Sequence, residues 1–225
     1  MSSAIKRIVN KDLREIQKMN LNELGIHIHF NEENMLEAKA IIIGPKDTPY
    51  ENGVLYFKIQ FPKDYPFSPP KVNYISSSRY RIHPNLYVGK PSEDFKGKVC
   101  LSILNTWSGP KWTTVMHIGS VLVSIQSLLD ENPLRNEPGF EKDVSLRNKN
   151  YNLVVEYDTY QQLIYKNCFL INSEFKVFEG IIQEHIQNNK ENILSKLSNL
   201  CKNNSKDISI SLDIYNISMK INYQL

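Results

Sequence analysis

Three short strand patterns, joined by connections rich in turn-forming residues, restrict the fold of this 225-residue chain more than any other feature. They occupy 24–30, 35–43 and 53–61, and the connection between the last two reads GPKDTPYEN. Such runs, bounded by glycine, proline, asparagine and aspartate, are typical of strands and turns. Parallel pairing would need crossovers of about a dozen residues or more, so the sequence predicts an antiparallel meander.

A proline-rich segment predicts a rigid loop after the third strand. The stretch FPKDYPFSPPKVNYI contains four prolines, which cannot donate hydrogen bonds within a central strand ladder. We therefore expect a surface loop that ends in a fourth strand at Lys71 to Ile75. In the first strand, His27 and His29 alternate with apolar residues, which predicts that both lie on the solvent face rather than bind a metal.

Helical patterns flank the predicted sheet along the chain. Near the N-terminus, the apolar residues at 5, 8, 9, 13 and 16 fall on one helical face. Three more helical patterns follow Cys100, at 114–132, 141–171 and 173–200. Strands and helices in separate runs favour an α+β arrangement, with an N-terminal helix, a four-stranded antiparallel meander and then C-terminal helices.

The last residues change from helical to alternating periodicity. Apolar residues alternate from Ile208 to Ile214, the phase slips at 215–216, and the alternation then resumes, which predicts a β-hairpin. A two-stranded hairpin is marginal alone, so it should pack on the body or pair with a partner's strand. The stretch Asn188 to Lys206, rich in asparagine and lysine, is interpreted as a flexible linker.

Composition and charge exclude several classes of protein. The net charge of +3 is too small to predict a nucleic-acid partner. No apolar run approaches the roughly 18 residues that span a bilayer, and the N-terminal pattern lacks the apolar core of a signal peptide. The three cysteines are widely spaced, which argues against disulfides and structural zinc. We expect a cytosolic or nuclear protein without membrane, nucleic-acid or metal partners.

A rigid turn and a lone cysteine form the candidate reactive segment, HPNLYVGKPSEDFKGKVCLSIL, which begins at His83. Proline fixes a backbone dihedral in the turn, and Asn85 carries an amide that can stabilise negative charge on a carbonyl oxygen during acyl transfer. Cys100 is either an acyl-accepting nucleophile or a small buried hydrophobe, and a lone cysteine is more often the latter. For His83, the alternative to a catalytic role is a structural one, in which its side chain only hydrogen bonds within its own turn.

An ordered series of motifs resembles the ubiquitin-conjugating (UBC) enzyme family over residues 4–140, and more weakly through the later helices. The series reads GPKDTPYENG, FPKDYPFSPPKV, HPN, GKVCLSIL, a tryptophan and SVLVSIQSLL. The segments CLSILNTWSGPKW and NPLRNEPGFE are most similar to larger, atypical members, the Z-type enzymes. The resemblance implies that Cys100 carries the ubiquitin thioester, that Asn85 stabilises the oxyanion or holds the active-site loop, and that His83 is structural.

The same resemblance implies surfaces for partner proteins. It places the docking site for the activating enzyme on the first helix, at Lys6, Arg7 and Lys11. It places ligase-contact loops at Phe67 and at Trp112, although a core-packing role for Trp112 is an alternative. The usual Trp-Ser-Pro-Ala is WTTV here, which leaves the partner ligases undefined.

Two departures from the family concern the active site. The segment between His83 and Cys100 is about seven residues longer than is usual in the family, which predicts a loop insertion at about 86–96. The acidic gate that orients the incoming lysine has no direct match, and Asn136 and Glu137 are the candidates for it.

The resemblance implies a UBC fold with a catalytic core at 1–170 and a C-terminal extension at 171–225, helical and then a hairpin. The implied function is an acyltransferase that takes ubiquitin, or a ubiquitin-like modifier, from the activating enzyme and passes it to a substrate lysine, usually with a ligase. No cofactor is expected, since ATP is used by the upstream activating enzyme. The alternative is a catalytically silent module that binds ubiquitin or a ligase.

Overall fold

A computed structural model describes residues 2–88, 97–204 and 207–223 of the chain. Its central element is a four-stranded antiparallel sheet in the order β1-β2-β3-β4, which confirms the predicted meander. The strands are β1 (Ile26–Phe30), β2 (Glu37–Ile43), β3 (Val54–Gln60) and β4 (Lys71–Ile75). The proline-rich segment forms the loop between β3 and β4, and its Tyr65–Pro66 peptide bond is cis.

Helices precede and follow this sheet, as the α+β prediction requires. The α-helices are α1 (Ser3–Arg7), α2 (Leu13–Lys18), α3 (Ile118–Leu128), α4 (Leu146–Asp158) and α5 (Glu179–Asn203). A π-helical turn, Ile8–Asp12, joins α1 to α2, and a second π-helical segment, Thr159–Phe169, continues α4. A C-terminal hairpin of β5 (Ile208–Leu212) and β6 (Ile217–Ile221) confirms the strand-turn-strand prediction.

One face of the sheet carries the main hydrophobic core. Alternate residues of the strands, such as Ala40, Leu55 and Phe57, pack with apolar residues of α3 and α4. The C-terminal hairpin belongs to the same core, through Ile210, Leu212, Ile217 and Ile221. The hairpin therefore packs on the body of the molecule, which is one of the two arrangements expected for it.

The opposite face of the sheet is covered as well, so the prediction of a solvent face for His27 and His29 was wrong. Ile41, Val54 and Tyr56 form a second core with residues beyond α4, namely Cys168, Phe175, Phe178 and Ile182. His27 and His29 are half-buried, and the His29 ring lies 6.4 Å from that of Phe178. Burial lowers the pKa of His27. Uninterrupted apolar runs in β2 and β3, which suit burial on both faces, signal this arrangement in the sequence.

The interpretation of Asn188 to Lys206 as a flexible linker was also wrong over residues 188–203. These residues continue α5, which runs unbroken to Asn203. Ile193 is buried on this helix, and Lys196 forms an ion pair with Glu51 at 2.5 Å. Asparagine and lysine lower the mean hydropathy of the segment, but the buried isoleucine and this ion pair hold the helix against the body.

A buried carboxylate ties the N-terminal helices to the rest of the fold. Asp12 is fully buried on the apolar face of the N-terminal helices, where the helical pattern predicts an apolar residue, whereas Val9 is 36% exposed. The Oδ1 atom of Asp12 accepts hydrogen bonds from the Tyr65 hydroxyl at 2.5 Å and from the Ile118 backbone N–H at 3.0 Å. These bonds join the proline-rich loop, α3 and the N-terminal helices at one point.

Candidate active site

The His-Pro-Asn turn is anchored to the end of α3 by a buried imidazole. His83 is fully buried, and burial lowers its pKa to about 3. Its Nδ1 atom accepts the backbone N–H of Asn85 at 2.9 Å, so the proton of the neutral ring lies on Nε2. Nε2 then donates to the Leu128 carbonyl oxygen, also at 2.9 Å. The ring therefore fixes the turn relative to α3.

Asn85 and Cys100 are joined by two reciprocal hydrogen bonds. The Cys100 backbone N–H donates to the Asn85 carbonyl oxygen at 2.8 Å, and the Asn85 side-chain Nδ2 donates to the Cys100 carbonyl oxygen at 2.7 Å. The other side-chain atom, Oδ1, is buried and has no hydrogen-bond partner among the described residues. The amide of Asn85 thus holds the cysteine segment directly.

The Cys100 residue is almost fully buried, and the groups around its thiol shift its pKa in opposite directions. The residue is 2% exposed, and burial raises the pKa of its thiol. The positive charge of Lys98, a hydrogen bond with the Tyr87 side chain and the positive charge of Arg81 each lower that pKa, while the Glu137 carboxylate raises it. Burial is the largest of these influences, so the pKa of the Cys100 thiol lies above its ordinary value, and the cations and the hydroxyl offset only part of that rise toward the reactive thiolate.

Arg81 links the thiol to a wider aromatic cluster. Its guanidinium carbon lies 3.6 Å from the centre of the Tyr87 ring and 4.6 Å from the centre of the Tyr215 ring. The guanidinium also donates to the Pro84 carbonyl oxygen, within the His-Pro-Asn turn. Arg81 is therefore held by two aromatic faces and by the turn that precedes Cys100.

The predicted insertion at about 86–96 lies mostly outside the described residues, since 89–96 are not described. At its base, Leu86 bridges to Val99, and the Tyr87 backbone N–H donates to the Lys98 carbonyl oxygen at 3.0 Å. Gly97 has φ of +71° and accepts a hydrogen bond from the Tyr74 backbone N–H at 2.7 Å. The two ends of this segment are thus paired with each other and fastened to β4.

The two gate candidates lie in a short 3-10 turn and its cap, and they have different partners. Asn136 donates from Nδ2 to the Asp130 carboxylate at 3.0 Å. Glu137 accepts a hydrogen bond from the hydroxyl of Tyr215, on the turn of the C-terminal hairpin. The Glu137 carboxylate raises the pKa of the Cys100 thiol, whereas the Asn136 side chain is bonded to Asp130, just after α3.

The three predicted basic residues of the first helices differ in their surroundings. Lys6 is exposed, and Lys11 donates to the Val115 carbonyl oxygen at 3.1 Å. The side chain of Arg7 is only 13% exposed and pairs with Asp12 at 2.7 Å. Arg7 also donates to the Met116 carbonyl oxygen at 2.7 Å, so it braces the segment before α3.

Phe67 and Trp112 lie on adjacent loops but have opposite exposure. Phe67 is 78% exposed at the tip of the proline-rich loop. Trp112 is 8% exposed, and its indole N–H donates to the Pro66 carbonyl oxygen at 2.7 Å. Trp112 therefore packs in the core and supports the loop that presents Phe67.

Three residues of the candidate site were not predicted: Tyr87 and Arg81, which act on the pKa of the thiol, and Tyr215, which contacts Arg81 and Glu137. Tyr87 stands two positions after Asn85, and strand-like alternation would have placed both side chains on one side. Arg81 stands two positions before His83 and could have been found in the same way. Tyr215 lies 115 positions beyond Cys100, and no local pattern connects the two.

Among the described residues, no group of three or more histidine, cysteine, aspartate or glutamate side chains could hold a metal ion. No described helix has the length and apolar character needed to cross a bilayer.

Comparison with known proteins places this geometry in a family. The family model described as "Ubiquitin-conjugating enzyme" matches residues 8–161, which include both the His-Pro-Asn turn and Cys100. The chain is 44% identical to ubiquitin-conjugating enzyme E2 Z of Danio rerio over 138 residues, which are 60% of this chain and 40% of that protein. It is 46% identical to the E2 Z protein of Homo sapiens over 138 residues, 60% of this chain and 37% of that protein.

A third relative matches more of this chain. The probable ubiquitin-conjugating enzyme protein 17 of Caenorhabditis elegans is 37% identical over 194 residues, 81% of this chain and 25% of that protein. The chain therefore spans less than half the length of each of these curated relatives. The match to the family model and the identity with these relatives show that the chain belongs to the ubiquitin-conjugating enzyme family.

Proposed function

We propose that this protein is a ubiquitin-conjugating enzyme that carries ubiquitin, or a ubiquitin-like modifier, as a thioester on Cys100 and transfers it to a substrate lysine. One observation carries the proposal: the Asn85 side-chain Nδ2 donates to the Cys100 carbonyl oxygen at 2.7 Å, and Tyr87 and Arg81 lower the pKa of the Cys100 thiol. All four residues lie within the part of the chain that the family model matches. A cysteine that served only as packing would need no cation or hydroxyl beside its sulfur.

The first step transfers the modifier from one sulfur to another. The Cys100 thiolate attacks the carbonyl carbon of the thioester on the activating enzyme, and a new carbon-sulfur bond forms. The bond to the cysteine of the activating enzyme breaks, and that cysteine leaves as a thiolate that takes up a proton. Lys98, Tyr87 and Arg81 favour the thiolate against the effect of burial. The thioester that is broken and the one that is formed are similar in energy, so the exchange is close to thermoneutral, and its rate depends on the fraction of Cys100 present as thiolate.

The second step is aminolysis of the thioester. A neutral lysine amine attacks the carbonyl carbon, the carbon-nitrogen bond forms, the carbon-sulfur bond breaks and Cys100 leaves as a thiolate. The amine must lose a proton, and we assign Glu137 to accept or guide it, because among the described residues it is a carboxylate whose charge raises the pKa of Cys100. Asn85 holds the cysteine segment, and its amide is the donor in the same turn that could stabilise the oxyanion.

The proposed partners follow from exposed groups and from the family. Lys6 and Lys11 offer positive charge for the activating enzyme. Arg7 is largely buried and stabilises the same helical segment through its ion pair with Asp12. Phe67 offers an apolar contact for a ligase, supported by Trp112. We assign no cofactor, with ATP used by the activating enzyme, and we place the protein in the cytosol or nucleus.

A charging assay tests the proposed function. Incubation with activating enzyme, ATP and ubiquitin should give an adduct that thiol reagents cleave. Cys100→Ala should abolish the adduct, and Cys100→Ser should give an oxyester that resists thiol reagents. Cys168→Ser is the matched control, since Cys168 is buried in the second core. If neither ubiquitin nor a panel of ubiquitin-like modifiers gave an adduct, the enzyme assignment would fail, and the chain would be a binding module.

A further inference from the structure

The C-terminal hairpin delivers a tyrosine to the active site. Its turn, Ile214–Asn216, joins β5 to β6. Tyr215 in this turn has φ of +59°, a left-handed conformation that is costly for a bulky side chain. Strain of this kind persists only where surrounding contacts stabilise it. The contacts of Tyr215 therefore stabilise this conformation.

Tyr215 contacts two of the charged groups that act on the pKa of the Cys100 thiol, Glu137 and Arg81. Its hydroxyl donates a hydrogen bond to the Glu137 carboxylate. Its ring lies over the Arg81 guanidinium, 4.6 Å from the ring centre, and 5.9 Å from the ring of Tyr151. Arg81 in turn lies 3.6 Å from the centre of the Tyr87 ring, and Tyr87 hydrogen bonds with Cys100. Tyr215 thus contacts both Glu137 and Arg81, whose charges act in opposite directions on the pKa of Cys100.

We propose that Tyr215 is a positioning residue for the lysine-transfer step: its hydroxyl fixes the Glu137 carboxylate toward the incoming amine, and its ring keeps Arg81 and Tyr87 against Cys100. The inference rests on the proposed function and extends it to the C-terminal extension, which supplies part of the acceptor side of the site. The substrate class is a primary amine, because a carboxylate held beside the thioester can take a proton from the attacking nitrogen as the carbon-sulfur bond breaks.

A purely structural role for Tyr215 can be separated from this one. The hairpin is held on the body by four buried side chains, Ile210, Leu212, Ile217 and Ile221. Tyr80 also donates from its hydroxyl to the Ser218 carbonyl oxygen at 2.5 Å. Loss of the Tyr215 hydroxyl alone should therefore leave the hairpin in place, and the ring contacts with Arg81 remain in Tyr215→Phe.

The test compares formation and discharge of the Cys100 thioester in the full chain. Wild type, Tyr215→Phe and Tyr80→Phe are charged with ubiquitin and then mixed with free L-lysine in single-turnover conditions. We expect Tyr215→Phe to charge at the wild-type rate and to discharge about tenfold more slowly. The Tyr80→Phe control removes a hydroxyl that also holds the hairpin but does not touch Glu137, and it should discharge like wild type.

A double-mutant cycle shows whether Tyr215 acts through Glu137. Glu137→Gln should slow discharge, and adding Tyr215→Phe to it should cause little further loss. Discharge of Tyr215→Phe at the wild-type rate, or a double variant slowed by the product of the single effects, would overturn the inference while leaving the proposed function intact. Failure of wild type to form any thioester would instead remove the proposed function and the inference with it.

Discussion

Asn85 has its side-chain amide engaged with the Cys100 carbonyl oxygen, and this contact bears on how the residue serves the reaction. A buried carbonyl that loses its donor costs about 1–3 kcal/mol. In the structure, Nδ2 is 2.7 Å from that oxygen, while Oδ1 has no partner among the described residues. The amide is therefore a brace in the resting site, and it must turn or share its hydrogen bond to stabilise an oxyanion.

Asn85→Ala tests this dual role. We expect it to lower the free energy of unfolding by about 1–3 kcal/mol, because the Cys100 carbonyl loses its donor, and to slow lysine discharge more than thioester formation. Urea unfolding and the two rates of the charging assay measure these effects. Equal slowing of both steps would assign Asn85 to bracing alone, and unchanged stability would show that the bond contributes nothing.

Two buried titratable groups act on stability in opposite directions with pH. Burial lowers the pKa of His83 to about 3, so its contribution is present above its unfolded value near 6.5 and is lost as the pH falls. Burial raises the pKa of Asp158 to about 7, although a hydrogen bond from Ser78 opposes this. The contribution of Asp158 is therefore present below about pH 4 and is lost as the pH rises toward 7.

In wild type, the pH dependence of stability due to Asp158 opposes that due to His83, and Asp158→Asn should leave only the dependence due to His83. The amide cannot ionise, so the stability of the variant relative to wild type should rise by about 1.4 kcal/mol per pH unit between pH 4 and 7. Urea unfolding at several pH values measures the difference. Asp213→Asn, at an exposed position, is the control and should show no such trend. A constant difference between Asp158→Asn and wild type would contradict the assigned shift.

The residues that could be predicted are those that lie close together in sequence. His83, Asn85 and Cys100 belong to one motif, and the structure brings them together through hydrogen bonds of 2.7–2.9 Å. Tyr215 could not be predicted, because its position depends on the packing of a hairpin at the other end of the chain. The burial of the Arg7 side chain could not be predicted either, because its partner carboxylate, Asp12, stands where an amphipathic pattern predicts an apolar residue.

At the level of elements, the sheet was predicted in its order but not in its surroundings. Turn-forming residues between short strands specify an antiparallel meander almost by themselves, and the register follows from them. The alternation of polar and apolar residues in β1 predicted that one face of the sheet is exposed to solvent. However, Ile41, Val54 and Tyr56 on β2 and β3 face the second core, which only the packing of the last helices reveals. The apolar runs of β2 and β3 carried this information, and the alternation of β1 concealed it.

Gly97 fastens the segment before Cys100 to β4, and its substitution should displace the nucleophile. A Cβ atom at Gly97 would lie 2.5 Å from the Tyr74 carbonyl oxygen, and its φ of +71° disfavours other residues. We expect Gly97→Ala to lower the free energy of unfolding by more than the roughly 1 kcal/mol due to backbone strain, and to slow thioester formation.

A second glycine provides the control for Gly97→Ala. Gly139 also has positive φ, +86°, but nothing lies within 4 Å of its Cβ position. Gly139→Ala should therefore show the cost of strain without the clash, as measured by thermal and urea unfolding. If the two variants were equally destabilised, the close approach of Gly97 to β4 would have no energetic role.

The whole molecule is organised around one sheet with a core on each face. β2 and β3 contribute to both cores, and the extension beyond residue 170 contributes to both as well, through Phe175 and Phe178 on one face and the hairpin on the other. Removal of either core would expose apolar residues of the same strands. The predicted boundary between 1–170 and 171–225 then separates segments of the chain that we expect to unfold together.

Ile221→Ala tests whether the chain unfolds as one unit. Ile221 is fully buried in the hairpin, so its truncation should cost about 2–5 kcal/mol. Both tryptophans, Trp107 and Trp112, lie in the predicted catalytic core, whereas far-UV circular dichroism includes the 25-residue helix α5 of the extension. In a single cooperative transition, the urea midpoints of tryptophan fluorescence and circular dichroism should shift together.

Independent unfolding of the extension would give a different result: the circular dichroism midpoint would fall in Ile221→Ala, while the fluorescence midpoint stayed at its wild-type value. Ser218→Ala, at an exposed position of the same strand, is the matched control and should change both midpoints little. Because Tyr215 reaches Glu137 from this hairpin, coincident transitions would also mean that loss of the extension removes the acceptor side of the site. Thioester discharge by Ile221→Ala should then fall at the urea concentrations where the fluorescence changes.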